Sequence, residues 1–189
     1  MELLSSLPSL LVVIIVLMSN LIFSQETLNV FDIARKGTVE QAKEKFKDNP
    51  NSFNVVNDEG YSPLLLACYR SNNEVAKYLI NIGSDINGKS KFGTPLMACI
   101  VKGNNEIATL LIEKKADMNF SDMSGMNALL YAVNFKNYEM VSALVKAGVD
   151  IDIKDNKNKS AIDYAIIMND DLLIELLKNK NKKLWKTLL

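Results

Sequence analysis

The chain has 189 residues, of which 48% are hydrophobic and 23% charged, so it can bury a core and does not have the composition of a disordered protein. Its 22 Lys and Arg residues balance 22 Asp and Glu residues, which excludes an overall basic field for holding nucleic acid. Because it has no His, Ser-His-Asp catalysis, Cys-His catalysis and His-based metal sites are excluded as well.

The stretch from Leu7 to Phe23 is strongly apolar, and no charged residue lies between Glu2 and Glu26. At about 17 residues it is at the short limit for a membrane-spanning helix. A small residue, Ser24, follows it before a polar start, as is typical of a signal-peptidase site. We expect an export signal that is cleaved after Ser24, which makes the domain periplasmic or secreted. The alternative is a retained leader that anchors the protein in a membrane, and Glu2, where basic residues are usual, weakens the signal-peptide pattern.

After the leader, one pattern recurs at a spacing of 32 or 33 residues. Ser or Thr before Pro is typical of a helix N-cap with Pro at the first helical position, and a small Ala three or four residues later lets another helix pack closely. A first short helix is therefore predicted at each occurrence. The four occurrences begin Ser62-Pro63-Leu64, Thr94-Pro95-Leu96, Asn127-Ala128-Leu129 and Ser160-Ala161-Ile162.

A second helix is predicted after each first one. From Glu74 to Ile82, for example, Val75, Leu79 and Ile82 share one helical face, and Gly83 is typical of a helix end. Each unit is thus a helix pair with a loop. One pair cannot bury its apolar face alone, so neighbouring units must stack into a solenoid.

These units resemble the ankyrin repeat, whose signature is T-P-L-H-x-A, and Thr94-Pro95-Leu96 matches it most directly. The resemblance covers roughly Leu28 to Lys178 and implies an all-α, ankyrin-like repeat solenoid of helix pairs with extended connecting loops. The signature His, which helps to tie neighbouring repeats in the family, is absent. We therefore expect an array that depends more on apolar packing and is looser at its ends. The residues at the His position are Leu65, Met97, Leu130 and Asp163.

The expected organisation has four parts. Residues 1–24 are the signal peptide or membrane anchor, 25–57 a degenerate N-terminal cap repeat, 58–178 about four ankyrin-like repeats, and 179–189 a basic C-terminal tail. The tail has four Lys, directly after Lys178, and no acidic residue, so it is interpreted either as a solvated helix end that covers the last repeat or as a contact for anionic lipid.

Few residues suggest chemistry. Cys68 and Cys99 occupy small core positions in adjacent repeats, which predicts buried free thiols. The alternative, which export would favour, is a disulfide, but the offset of the two positions in the repeat argues that they are too far apart to bridge. The carboxylates of Asp58, Glu59, Asp122 and Asp155 lie in predicted turns, where they would bond the local backbone. We expect no metal, no cofactor and no enzymatic activity.

The resemblance implies a binding surface on the loop tips and the inward face of the first helices. That surface would be apolar and aromatic, with tyrosine hydroxyls available to a partner, as in protein-binding hot spots. The alternative is that several of these side chains pack between repeats. The predicted partner-binding residues are Tyr61, Leu66, Tyr69, Phe92, Val101, Met126, Tyr131 and Tyr164.

The sequence thus predicts a monomeric, non-catalytic protein-binding module with a protein partner of unknown identity, no nucleic acid, and membrane contact only through an uncleaved leader. Two finer roles remain open by resemblance, an immunity-type inhibitor of a toxin and an accessory factor for a periplasmic enzyme. The Lys- and Asn-rich, Arg-poor composition favours a bacterial source.

Overall fold

The structure, a computed structural model, describes residues 28–91 and 93–185, with side chains as far as residue 178. In these ranges the chain forms five consecutive helix pairs, which confirms the predicted all-α repeat solenoid. The helices are α1 (Val30–Lys36), α2 (Val39–Asp48), α3 (Pro63–Arg70), α4 (Asn73–Asn81), α5 (Pro95–Val101), α6 (Asn105–Glu113), α7 (Ala128–Asn134), α8 (Tyr138–Ala147), α9 (Ala161–Ile167) and α10 (Asp171–Trp185).

The first helices begin at the predicted caps. The hydroxyl of Ser62 accepts the amide of Leu65 at 3.1 Å, and the side chain of Asn127 accepts the amide of Leu130 at 2.9 Å, so each satisfies an N–H group that the helix leaves unpaired. In the last repeat, Asp163 accepts both the backbone N–H and the hydroxyl of Ser160. The residue that replaces the signature His therefore stabilises the start of its own helix.

Helices of the same kind stack on one another along the array. The first helices α1, α3, α5, α7 and α9 form one row, the second helices form another, and each first helix also packs on its own second helix. Ala67 and Ala132 are fully buried in the first row and Leu79 and Leu144 in the second, as the apolar spacing predicts. One core cluster therefore runs through the whole stack, as expected for a solenoid in which each repeat buries the next.

Polar side chains also tie neighbouring repeats, at the N-termini of the second helices. The side-chain amide of Asn104 donates to Oδ1 of Asn73 at 2.7 Å, and that of Asn137 donates to Oδ1 of Asn105 at 2.7 Å. Asn105 in turn donates to Oε2 of Glu139 at 2.6 Å. This asparagine ladder adds polar ties between repeats to the apolar packing that the sequence predicts.

The ladder extends to the N-terminal repeat and has a counterpart in the loops. The side chain of Asn72 donates to the carbonyl of Gly37 at 3.0 Å, across the α1–α3 boundary. In the loops, the side chain of Asn87 accepts the amide of Asp117 at 2.8 Å, and that of Asn119 accepts the amide of Asp150 at 2.9 Å. Each pair spans one repeat, so polar ties recur at both edges of the stack.

The two cysteines are free and fully buried, as predicted. The two thiols are neighbours between α3 and α5 but form no disulfide, as predicted. That contact, together with burial, raises the pKa of the Cys68 thiol well above its ordinary value. The thiol of Cys68 is therefore protonated and inert in the folded protein.

At the N-terminal end of the chain, the predicted export signal and its cleavage site lie outside the described residues. None of the helices in the described part of the chain is long and apolar enough to cross a membrane. The final helix α10 runs past residue 178 as far as Trp185, so the predicted boundary between repeats and tail falls within a helix.

Candidate functional site

The row of first helices carries a groove of about 420 Å³. Its walls come from α1, α3, α5 and α7 and from the loop before α3. Five of the eight predicted binding residues line it, and we call it the Tyr69 groove: Tyr61, Leu66, Tyr69, Val101 and Tyr131.

The floor of the Tyr69 groove is apolar and well packed. The side chain of Leu66 is 6% exposed and that of Met97 is 2% exposed, so the floor belongs to the core. Val101 is half-buried and Tyr69, at 44% exposed, stands at the rim. This arrangement has the form of a binding pocket, a fixed apolar base below accessible aromatic and polar groups.

Two cations face the ring of Tyr69. The ammonium nitrogen of Lys102 lies 4.9 Å from the ring centroid, and the guanidinium carbon of Arg70 lies 5.9 Å from it, both within cation–π range. A third cation of the groove, Arg35, is held by Asp32 at 3.3 Å. The rim near Tyr69 is therefore positively charged, whereas Glu59 contributes an exposed carboxylate to the same lining.

The hydroxyl of Tyr131 donates to Oδ2 of Asp122 at 2.6 Å. Oδ1 of the same carboxylate accepts the amides of Ser124 and Met126, which confirms the predicted turn role of Asp122. Burial, followed by the hydrogen bond to Asp122, raises the pKa of Tyr131 far above its ordinary value. This hydroxyl ties the loop to the first helix of its own repeat, which corrects the expectation that it is offered to a partner.

The next repeat has the same arrangement. The hydroxyl of Tyr164 donates to Asp155, whose other oxygen accepts the amides of Lys157 and Lys159. Desolvation alone would raise the pKa of Asp155, but the hydrogen bonds from Tyr164 and from these two amides outweigh it and lower the pKa.

In the repeat that contains Tyr61, the turn role falls to a residue that the sequence analysis did not name. Asp58 and Glu59 lie in a turn as predicted, but the side chain that bonds the turn backbone is that of Asn57, whose Oδ1 accepts the amides of Glu59 and Tyr61. Leu66 stands in the place of Tyr131 and Tyr164, nine residues after the turn side chain, and for that reason the groove floor is apolar there.

The remaining predicted residues are not part of the Tyr69 groove. Met126 and Tyr164 line a neighbouring concavity of about 370 Å³, although Met126 itself is mostly buried. Phe92 lies outside the described residues. The structure thus sorts the seven described residues into two adjacent concavities on the first-helix row.

Sequence reasoning missed three exposed groups at this surface. Arg70 ends α3 and Lys102 directly follows α5, and a count of positions from Pro63 and Pro95 would have placed both beside Tyr69. Phe135 is 55% exposed and stacks on Tyr131 with ring centroids 6.4 Å apart, which their four-residue separation along the chain could have indicated.

The site holds no visible machinery for a reaction within the described residues. There, His, Cys, Asp and Glu form no group of three or more that could hold a metal ion. The surface offers shape, aromatic area and charge, which serve recognition.

A stack of helix pairs with a groove along its first helices defines a repeat protein of the helical solenoid class. A family model described as ankyrin repeats (3 copies) matches residues 31–122 and again residues 115–187. The chain therefore belongs to the ankyrin-repeat family. Ankyrin repeats are generally non-catalytic modules of protein–protein interaction.

Curated relatives share the repeats and are much longer. The chain is 27% identical over 142 residues, 75% of its length, to "Ankyrin repeat and SAM domain-containing protein 6" of Rattus norvegicus, of which it covers 12%. It is 35% identical over 65 residues, 34% of its length, to "Alpha-latrotoxin-Lh1a" of Latrodectus hasselti, of which it covers 5%. The chain thus spans 12% or less of each of these two relatives.

Proposed function

We propose that this protein is a non-catalytic binding module that holds one partner protein through the Tyr69 groove, in an exported compartment. The observation that carries the proposal is the groove itself. An apolar floor of core residues lies beneath an exposed aromatic ring and two cations, on the row of helices that the repeats hold in register. Such a combination of a desolvated base and an aromatic rim is characteristic of interface hot spots.

Rigidity supports this assignment. The loop before α7 is fixed to its helix by Tyr131 and Asp122, and neighbouring repeats are tied by the asparagine ladder. A surface that is ordered before binding loses little conformational entropy when a partner docks, so more of the contact energy appears as affinity.

Site-specific cross-linking tests the proposed surface. A photo-reactive benzoylphenylalanine replaces Tyr69 in one variant of the full chain and the exposed Lys146, on the second helix α8, in another. The proposal expects one cross-linked protein from position 69 and none from position 146. Equal yields at both positions would contradict it.

The captured partner is then titrated against unlabelled variants. Tyr69→Ala should weaken binding by roughly thirtyfold, the equivalent of about 2 kcal/mol, because an aromatic side chain at the rim is lost. Lys146→Ala should leave the affinity within about twofold, since a cation outside the interface affects only weak long-range attraction. Circular dichroism of each variant verifies that the fold is intact.

Export is the part of the proposal that rests on the sequence of residues 1–24. N-terminal sequencing of the protein recovered from the periplasm or medium should begin at Gln25. Recovery of intact Met1 on a membrane-bound product would replace cleavage with a retained anchor, and recovery from the cytoplasm would overturn export.

The two finer roles are separated by what binding does to the partner. An immunity-type inhibitor abolishes the partner's activity at a stoichiometric ratio, whereas an accessory factor for a periplasmic enzyme preserves or raises it. Assay of the captured partner with and without the chain distinguishes these roles.

A further inference from the structure

Two cations from successive repeats lie over the ring of Tyr69. Arg70 is the last residue of α3 and Lys102 directly follows α5, so the stacking of the two helices brings both side chains to one ring. The distances to the ring centroid are 5.9 Å for the guanidinium carbon and 4.9 Å for the ammonium nitrogen.

Neither cation is neutralised within the described part of the chain. Ion pairs do form elsewhere on the array, as between Lys77 and Glu106 at 2.7 Å or Arg35 and Asp32 at 3.3 Å, but neither Arg70 nor Lys102 forms one with a described carboxylate. Two like charges held near one ring repel each other, and an anion that binds beside that ring would relieve the repulsion. The charge of this rim therefore selects an acidic group.

The apolar floor lies beside this rim. Leu66, Met97 and Val101 belong to the same groove as Arg70 and Tyr69, and a volume of about 420 Å³ leaves room for a side chain the size of Leu or Phe. An anion that carried no apolar group would leave this floor wet, and an apolar group without an anion would leave the cations unpaired.

We propose that the Tyr69 groove recognises a segment of the partner protein in which a large apolar side chain stands next to Asp or Glu. The apolar side chain lies on Leu66, Met97 and Val101, and the carboxylate lies beside the Tyr69 ring, where it pairs with Arg70 and Lys102. This inference rests on the proposed function and names the chemistry of the partner at the site.

The test uses random-sequence peptides displayed on phage and selected against the full-length protein. Enriched sequences should contain Asp or Glu adjacent to Leu, Ile, Met or Phe. The best peptide and its matched form, with Gln for Glu or Asn for Asp, are then synthesised. By fluorescence polarisation, the neutral form should bind roughly tenfold more weakly or worse, because one charge-assisted contact is lost.

Charge reversal locates the contact. The double variant Arg70→Glu, Lys102→Glu should lose at least roughly tenfold in affinity for the acidic peptide and gain affinity for a version with Lys in place of the acid. The control is Lys43→Glu, Lys146→Glu, which makes the same change in net charge at exposed positions of second helices and should stay within about twofold.

The outcomes distinguish the inference from the proposed function. Apolar peptides without an acid that still need Tyr69 would overturn the inference and leave the proposed function standing. Acidic peptides that bind Tyr69→Ala as well as the unmodified chain would overturn the inference and count against the groove. The inference would also be overturned if no peptides were enriched, or if the protein bound phosphatidylserine vesicles instead and lost that binding in the Arg70 and Lys102 double variant. In either case the cross-linking at position 69 would decide the proposed function separately.

Discussion

Replacement of Asn104 tests the asparagine ladder where it is most buried. This side chain is 8% exposed and acts twice, since Oδ1 accepts the amide of Ile107 at the start of α6 and Nδ2 donates to Asn73 in the preceding repeat. Asn104→Ala removes both contacts. Asn104→Ser retains a capping oxygen but is too short to reach Asn73.

The expected magnitudes follow from the two contacts. Loss of a side-chain N-cap costs about 1 kcal/mol, and loss of a partly buried hydrogen bond between neutral groups costs about 1 kcal/mol more. Asn104→Ala should therefore lower the free energy of unfolding by about 2 kcal/mol and Asn104→Ser by about 1 kcal/mol. For a protein of this size the corresponding falls in Tm are about 4–8 °C and 2–4 °C.

Urea unfolding of the full chain, followed by circular dichroism at the helix band, measures both variants. Asn73→Ala, alone and combined with Asn104→Ala, closes a double-mutant cycle with an expected coupling of about 1 kcal/mol. A loss below about 0.5 kcal/mol for Asn104→Ala, or equal losses for Ala and Ser, would refute the assignment of a joint role to this side chain.

Three further predictions concern stability. Asn127→Ser should raise the free energy of unfolding by about 1 kcal/mol, because it retains the cap of α7 and removes a buried amide nitrogen that has no partner among the described groups; a fall in urea midpoint would contradict this. Lys115 is exposed and left-handed at φ 67°, so Lys115→Gly should stabilise by about 0.5–1 kcal/mol, whereas Lys114→Gly, at φ −78°, should destabilise by a similar amount in the same urea titration. The hydrogen bond from the amide of Leu173 is the main reason that the pKa of Asp170 lies below the ordinary 3.8. The ionised carboxylate of Asp170 therefore stabilises the fold above about pH 4, and this stabilisation is lost as pH falls through the lowered pKa. Asp170→Asn should flatten the decline of Tm between about pH 5 and 2, and an unchanged slope would exclude the effect.

The sequence was sufficient to predict the fold because the repeat signal is local. Ser62, Thr94 and Asn127 each begin a helix three residues before the amide that they cap, so spacing along the chain identifies them. The ladder could not be predicted in the same way. Asn73 and Asn104 meet only after two helix N-termini from different repeats are brought together, and their register depends on the packing angle between helices.

The candidate site was predicted in part for the same reason. Tyr69 and Val101 follow their Pro residues by six positions, and the structure brings both to one groove. The sequence could not predict the positions of side chains relative to one another. Spacing along the chain cannot show that the hydroxyl of Tyr131 donates to Asp122, or that Arg70 and Lys102 both lie over one ring. These contacts depend on rotamers and on loop conformation.

The asparagine ladder also bears on how an array of this kind can change length. Excision of residues 74–105 would join Asn73 to Glu106 and leave Asn72-Asn73-Glu106 in place of Asn104-Asn105-Glu106, the same residue types in the same order. Asn73 would then face Asn137 and Glu139, the partners that Asn105 has now. The polar edge of the stack is thus interchangeable between these two units, so loss of one of them in the gene preserves the ladder on both sides of the join.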